Sequence, residues 1–276
     1  MRGSLRRIVL AIVAALVLPT SGNAQGTSSA DRKFITLIEA IQRADYRGHR
    51  DELGRLAGDL GALEIPDRRA YQDYWVGFAW WRRSINGFSE SPRPADLMAD
   101  LEKCETSERQ SLSAAPGFED ALNGLANCLG MQLYLSSTMA PETRTAILGR
   151  GTSDLQNLRA RKEGTANPRT LWVLAGWEAS GPDGDVSKSI ETLVRGLTLA
   201  RAENARPREP WIPAWGQAEI LMSLSYLYAL PARAEKPVAR AFAEAALFLV
   251  PDWHYVRDIL MPQIAALPEP APSPKE

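Results

Sequence analysis

Histidine and cysteine are almost missing from this chain: its 276 residues hold two of each. His49 and His254 stand at opposite ends, and no nucleophile-elbow motif accompanies either. A Ser/His/Asp or Cys/His catalytic arrangement therefore has no support, and His254 reads as a packed or surface residue. The His/Cys spacing of a structural zinc is absent too. Gly149-Arg150-Gly151-Thr152 lacks the Gly-Lys-Ser/Thr ending of a phosphate loop, and no strand-like run precedes it. Asp183-x-Asp185-x-Ser187 opens like a calcium loop, but Lys188 stands where that loop needs glycine and Val194 where it needs glutamate. The pattern thus calls for no cofactor and no metal. Alternation of period two never runs beyond a few residues, which leaves no basis for a sheet.

Long apolar runs are confined to the start. Arg2, Arg6 and Arg7 precede the apolar stretch from Ile8 to Leu18, and Gly22-Asn23-Ala24 supplies small residues for cleavage. Residues 1–24 therefore read as a secretory signal peptide, with a retained anchor as the alternative reading of the same run. No cysteine lies near the cleavage point for a lipid to take, and no later segment is apolar for long enough to span a bilayer. The expectation is an exported soluble protein of the periplasm, with no stable membrane insertion. Without the leader, 29 basic residues face 33 acidic ones, a net charge of −4. A nucleic-acid partner needs a concentrated basic field, so that class is set aside. Cys104 and Cys128 could form one disulfide after export or remain two small buried thiols; a Cα separation beyond ~7 Å would forbid the bridge.

What the chain does have is helical period. Phe34, Leu37, Ile38 and Ile41 recur at i, i+3, i+4, i+7, as do Leu53, Leu56, Ala57 and Leu60. Ile190, Leu193, Val194 and Leu197 repeat the pattern, followed by Val256, Ile259 and Leu260. Asn167-Pro168 reads as a cap with proline in the first turn, and Pro66, Pro141 and Pro237 suit the same role. Asp185 suits a cap, while 181–185 and 207–213 read as loops. The sum is about eleven helices in one all-α body over residues 31–267, after a flexible segment at 25–30. A disordered proline-rich tail is expected over residues 268–276.

One phase recurs. Ala239-x3-Ala243-x2-Ala246-x4-Pro251 is matched upstream by Cys104, Glu108, Ser111 and Pro116. Gly77, Ala126, Gly176 and Ser225 take one small-residue position on four first helices, which lets the second helix of each pair approach. This pattern resembles the tetratricopeptide (TPR) repeat, although 141–166 fits it poorly and the Gly176 unit lacks its closing proline. The resemblance implies an antiparallel helix-pair solenoid. In this phase Cys104 is on a second helix and Cys128 on the next first helix, close enough for a bridge. The glycine-rich turn at 181–184 and the closing Asp252-Trp253-His254-Tyr255-Val256 helix also look like the T component of tripartite ATP-independent periplasmic transporters. That likeness implies a periplasmic solute-binding protein as partner, and an oligomer.

The TPR resemblance further implies which positions face the groove. On the first unit these hold Tyr71, Tyr74, Phe78, Trp81 and Arg82. The second contributes Asp120, Asn123 and Asn127, the third Trp177, and the fourth Glu219, Met222 and Tyr226. An aromatic wall with an arginine opposite asparagine amides suits a peptide, a protein segment or a small ligand. Aromatics at helical spacing also serve as core between helices, the expected place of Trp75, Trp80 and Trp172. Arg82-Arg83 reads either as a solvated face or as an anion site. The leading expectation is a non-catalytic binding or scaffold protein. Beside it stand a transporter accessory component and a helical glycan-cleaving enzyme with paired carboxylates.

Overall fold

The computed structural model describes residues 28–268, apart from 89, 91, 92 and 181–183. The signal-peptide reading of 1–24 and all but the first residue of the proline-rich tail lie outside that range. Eleven α-helices and no strand are present among the described residues. They are α1 Ser29–Tyr46, α2 Arg50–Gly61, α3 Arg69–Gly87, α4 Pro94–Ala114, α5 Glu119–Leu135 and α6 Pro141–Ala160. There follow α7 Pro168–Ala179, α8 Val186–Asn204, α9 Gln217–Ala229, α10 Lys236–Leu249 and α11 Met261–Ala265. A π-helical turn, Tyr255–Leu260, runs straight into α11.

Local chemistry places the helix starts. Ser28 Oγ accepts from the Asp31 amide at 3.0 Å, so the segment expected to be flexible at 25–30 is already cap and helix from residue 28. Asn167 caps Arg169 at 2.9 Å and Asp185 caps Lys188 at 2.9 Å. Proline occupies the first turn of α4, α6, α7 and α10, where its missing N–H has no intrahelical partner to lose. The apolar stripes of α1 and α2 are buried, but of the α8 stripe Ile190, Leu193 and Leu197 turn inward while Val194 is half exposed. In the last helix the π turn widens the spacing, and Val256, Leu260 and Ile264 form the buried row instead of Ile259.

Consecutive helices pack against each other from α1 to α6 and again from α7 to α10. The odd-numbered helices also touch in series, α1 to α3, α3 to α5, α5 to α7 and α7 to α9. Three serine hydroxyls tie three pairs by donating to a facing carbonyl. Ser111 reaches Ala70 O at 2.7 Å, Ser189 reaches Ala175 O at 2.8 Å, and Ser225 reaches Ala239 O at 2.8 Å. Ala126 and Ser225 are fully buried, as their small-residue role requires. Gly176 departs from expectation: a Cβ there would meet nothing within 4 Å, and Ala175 is the buried residue of that turn. The phase of α7 is therefore one residue off the sequence reading. Helix α6 buries only Ile147, Gly151 and Leu158, which explains the poor pattern over 141–166.

Cys104 of α4 and Cys128 of α5 are joined by a disulfide with Cα atoms 6.1 Å apart. Both are fully buried. Replacing the pair by serine is expected to lower folding stability by about 2–4 kcal/mol, measured by urea unfolding against the oxidised protein.

Candidate functional site

Helices α3 and α7 bring Tyr74, Trp75, Phe78, Trp81 and Trp172 to one inner face, and the chain itself covers that face. Residues 205–216, between α8 and α9, form a strap rich in proline. Two tryptophans anchor it. The Trp211 carbonyl accepts from Trp75 Nε1 at 2.8 Å, and the Arg68 guanidinium lies 3.9 Å over the Trp211 ring. Trp215 donates from Nε1 to the Tyr74 hydroxyl at 2.6 Å. Its ring meets Phe78 at 5.4 Å, Trp81 at 5.7 Å and Trp172 at 5.6 Å. Rings at these separations and tilts attract through their quadrupoles in addition to the area they bury. The Trp215 carbonyl accepts from Arg169 at 2.8 Å.

Arg169 is itself a junction. It is 2% exposed, bonds Asp120 of α5 at 2.6 Å, and grips the Glu203 carboxylate at the end of α8 with both terminal nitrogens, at 2.7 and 2.8 Å. A bidentate guanidinium–carboxylate pair fixes orientation as well as charge.

The groove residues named from sequence therefore fall into two groups. Tyr74, Phe78, Trp81, Arg82, Asp120, Asn123 and Glu219 converge on the inner face but are buried. The open aromatic wall expected from sequence is closed, because the strap's own rings lie on it. Tyr71 is partly buried against Phe118. Asn127 is partly buried on the same side of α5, one turn from Asn123. Trp177 lies apart, packed under Arg159. Tyr226 is exposed, and Met222 is partly buried in the C-terminal core. Trp172, expected as filler between helices, belongs to the inner cluster, and Trp211 and Trp215 were missed. Their signal was present: two tryptophans in a proline-rich loop are too costly to leave in water, so the loop had to cover something.

Arg82 is neither solvated nor free for an anion. Its Nε donates to Asp45 Oδ1 at 2.7 Å, with both side chains buried. Asn86 donates to the same oxygen at 3.0 Å. Beside them the Tyr46 hydroxyl donates to Glu219 Oε1 at 2.6 Å, and Glu219 Oε2 accepts from the Gly216 amide at 2.8 Å. Burial raises the Glu219 carboxyl above its ordinary range, against the pull of Arg82. This network binds α1 and α3 to the start of α9. Arg47 with Asp252 at 2.8 Å, and Tyr46 against the Trp253 ring at 5.1 Å, tie α1 to the turn after α10. Arg83 pairs with Asp100 of α4.

Four buried N–H donors among the described residues have no hydrogen-bond acceptor: Arg68 Nε beside Trp211, Trp81 Nε1, Asn123 Nδ2 and Asn127 Nδ2. Leaving a buried donor unsatisfied costs about 1–3 kcal/mol. Beside the strap lies a cavity of about 400 Å³, bordered by Glu39, Gln42, Trp75, Arg206, Arg208 and Ile212.

Glu108 is the other anomaly. It projects from α4 between α3 and α5, fully buried, with no partner for either carboxyl oxygen. Two glycines make its slot: an added Cβ would stand 2.6 Å from Oε1 at Gly77 and 2.3 Å at Gly124. Burial, then the charges of Asp120 and Asp73, push its pKa well above the usual carboxylate range. A folded-state pKa above the unfolded value of 4.5 means its stability contribution is complete below pH 4.5 and is lost as pH climbs through the raised pKa. Glu108→Gln should therefore match the wild type in the acid range and exceed it at pH 8 by about 1–3 kcal/mol. Unfolding midpoints across pH 4–9 check this; parallel profiles for the two proteins would contradict it.

No protein-family model, curated protein or solved structure matches the chain. No helix among the described residues is long and apolar enough to cross a membrane.

Proposed function

We propose that this chain is an exported, non-catalytic binding protein whose helix pairs stack in the TPR-like manner and whose inner face holds extended polypeptide. The observation that carries the reading is the strap. The inner face already grips a non-helical, proline-rich stretch of protein, through aromatic contacts and through side-chain N–H groups donated to its backbone carbonyls. Donors aimed at carbonyls recognise any extended chain, while ring pockets select which side chains it carries. The serial contacts of the odd-numbered helices support a stacked arrangement with this face on one side. The unsatisfied amides of Asn123 and Asn127, one helical turn apart on α5, are donors that further carbonyl acceptors would satisfy.

The test is selection from a displayed peptide library on the purified protein. Enrichment of peptides rich in tryptophan and proline is expected, with binding weakened roughly tenfold by Asn127→Ala, about 1.4 kcal/mol for one hydrogen-bonded contact. Selected peptides indifferent to Asn127 and to inner-face substitutions would place any binding elsewhere and refute the reading.

A further inference from the structure

We infer that residues 206–216 are an internal stand-in for the natural ligand, and that the inner face takes a partner segment of the form Trp-x-Pro-x-Trp in their place. The inference rests on the function proposed above and names its ligand class.

The strap spells Trp211-Ile212-Pro213-Ala214-Trp215, and its two tryptophans make separate attachments. Trp211 sits between Arg68 and Trp75. Trp215 sits in the ring cluster of Tyr74, Phe78, Trp81 and Trp172. The intervening proline holds its own φ near the extended value, so a free segment of this composition loses little conformational freedom on docking. Outside the anchors the strap is loosely held: Arg206, Pro207, Arg208, Glu209 and Pro210 are all exposed. A stretch that enters through solvent and docks by two rings and two backbone carbonyls can exchange for a segment offering the same groups, while the Gly216 amide stays on Glu219 as the cap of α9. Trp81 Nε1, in the ring cluster around Trp215, has no acceptor, and a cavity of about 400 Å³ lies along the strap between Trp75, Gln42, Arg208 and Ile212. A partner segment seated in place of the strap can offer Trp81 an acceptor and, with larger side chains, fill that volume. The strap then acts as a competitor, lowering the apparent affinity in proportion to the fraction of molecules in which it is docked.

The probe is a labelled synthetic peptide with the sequence of residues 206–216, titrated into the wild type and into Trp215→Ala. Freeing the ring cluster is expected to tighten binding at least tenfold over the wild type. The same peptide with both tryptophans replaced by alanine is expected not to bind. Should Trp215→Ala fail to fold, a specific protease site placed within the exposed residues 206–209 and cut after folding releases one end of the strap and gives the same comparison. Absence of peptide binding to the folded variant and to the cut protein would overturn the inference, while library peptides that still bind would leave the broader function standing. A concentration-dependent wild-type dimer dissolved by the peptide would also overturn it, since the occupant would then be a second copy.

Discussion

Replacing Arg169 by methionine is expected to cost about 3–5 kcal/mol of folding stability, the loss seen when one partner of a buried ion pair is removed. The side chain is 2% exposed, so nothing in water compensates its neighbours. Asp120 keeps only the Asn167 amide at 2.7 Å, and the Trp215 carbonyl loses its donor. Glu203 is about a quarter exposed and recovers part of its hydration, which keeps the loss within that range. For a chain of this length, roughly 2–4 °C accompanies each kcal/mol, so the melting temperature should fall by about 10 °C. A second consequence separates Arg169 from ordinary core residues: Trp215 fluorescence should report a wetter strap while the helices stay folded. A melting temperature within about 2 °C of the wild type would show that the junction is not a determinant of stability.

The other large effect is steric. Gly124→Ala would set a Cβ 2.3 Å from Glu108 Oε1, and Gly77→Ala one at 2.6 Å from the same atom. Overpacking usually costs about 1–3 kcal/mol, and this slot lies at or beyond the upper end because Glu108 is walled on both sides. Both added methyls would meet the same carboxyl group, so moving away from one brings it toward the other. Strong coupling between the two positions is therefore expected. Gly124→Ala in a Glu108→Ala background should lose most of its penalty, a double-mutant interaction of about 2 kcal/mol measured by urea unfolding. Additive effects of the two substitutions would mean that the glycines serve some purpose other than housing the acid.

The fold was largely legible because it rests on local rules. Stripes such as Phe34-Leu37-Ile38-Ile41, the caps Asn167 and Asp185, and first-turn prolines each act within one or two turns of helix. The helix pairing showed through at Gly77, Ala126 and Ser225, where close approach demands a small side chain. It misled at Gly176, because glycine and Ala175 both satisfy the pattern and only packing shows which faces the neighbour.

The site was legible by half. Helical phase brought Tyr74, Phe78, Trp81, Arg82 and Asn123 to one face, but phase says nothing about what lies over a face. The strap belongs to a loop more than a hundred residues beyond α3, and its seat is a tertiary contact without a local signature. Arg82 reads as a surface arginine until Asp45, 37 residues earlier, is placed beside it. Glu108 was visible only as one term of a repeat, and its isolation appears once two glycines from separate helices close around it.

The central claim, that this inner face receives extended polypeptide in exchange for the chain's own strap, is tested most directly by hydrogen exchange with and without a bound peptide. The prediction is faster exchange at residues 206–216 when peptide binds, with unchanged or slower exchange along α3 and α5. Protection confined to the even-numbered helices, with the strap amides unaltered, would contradict it.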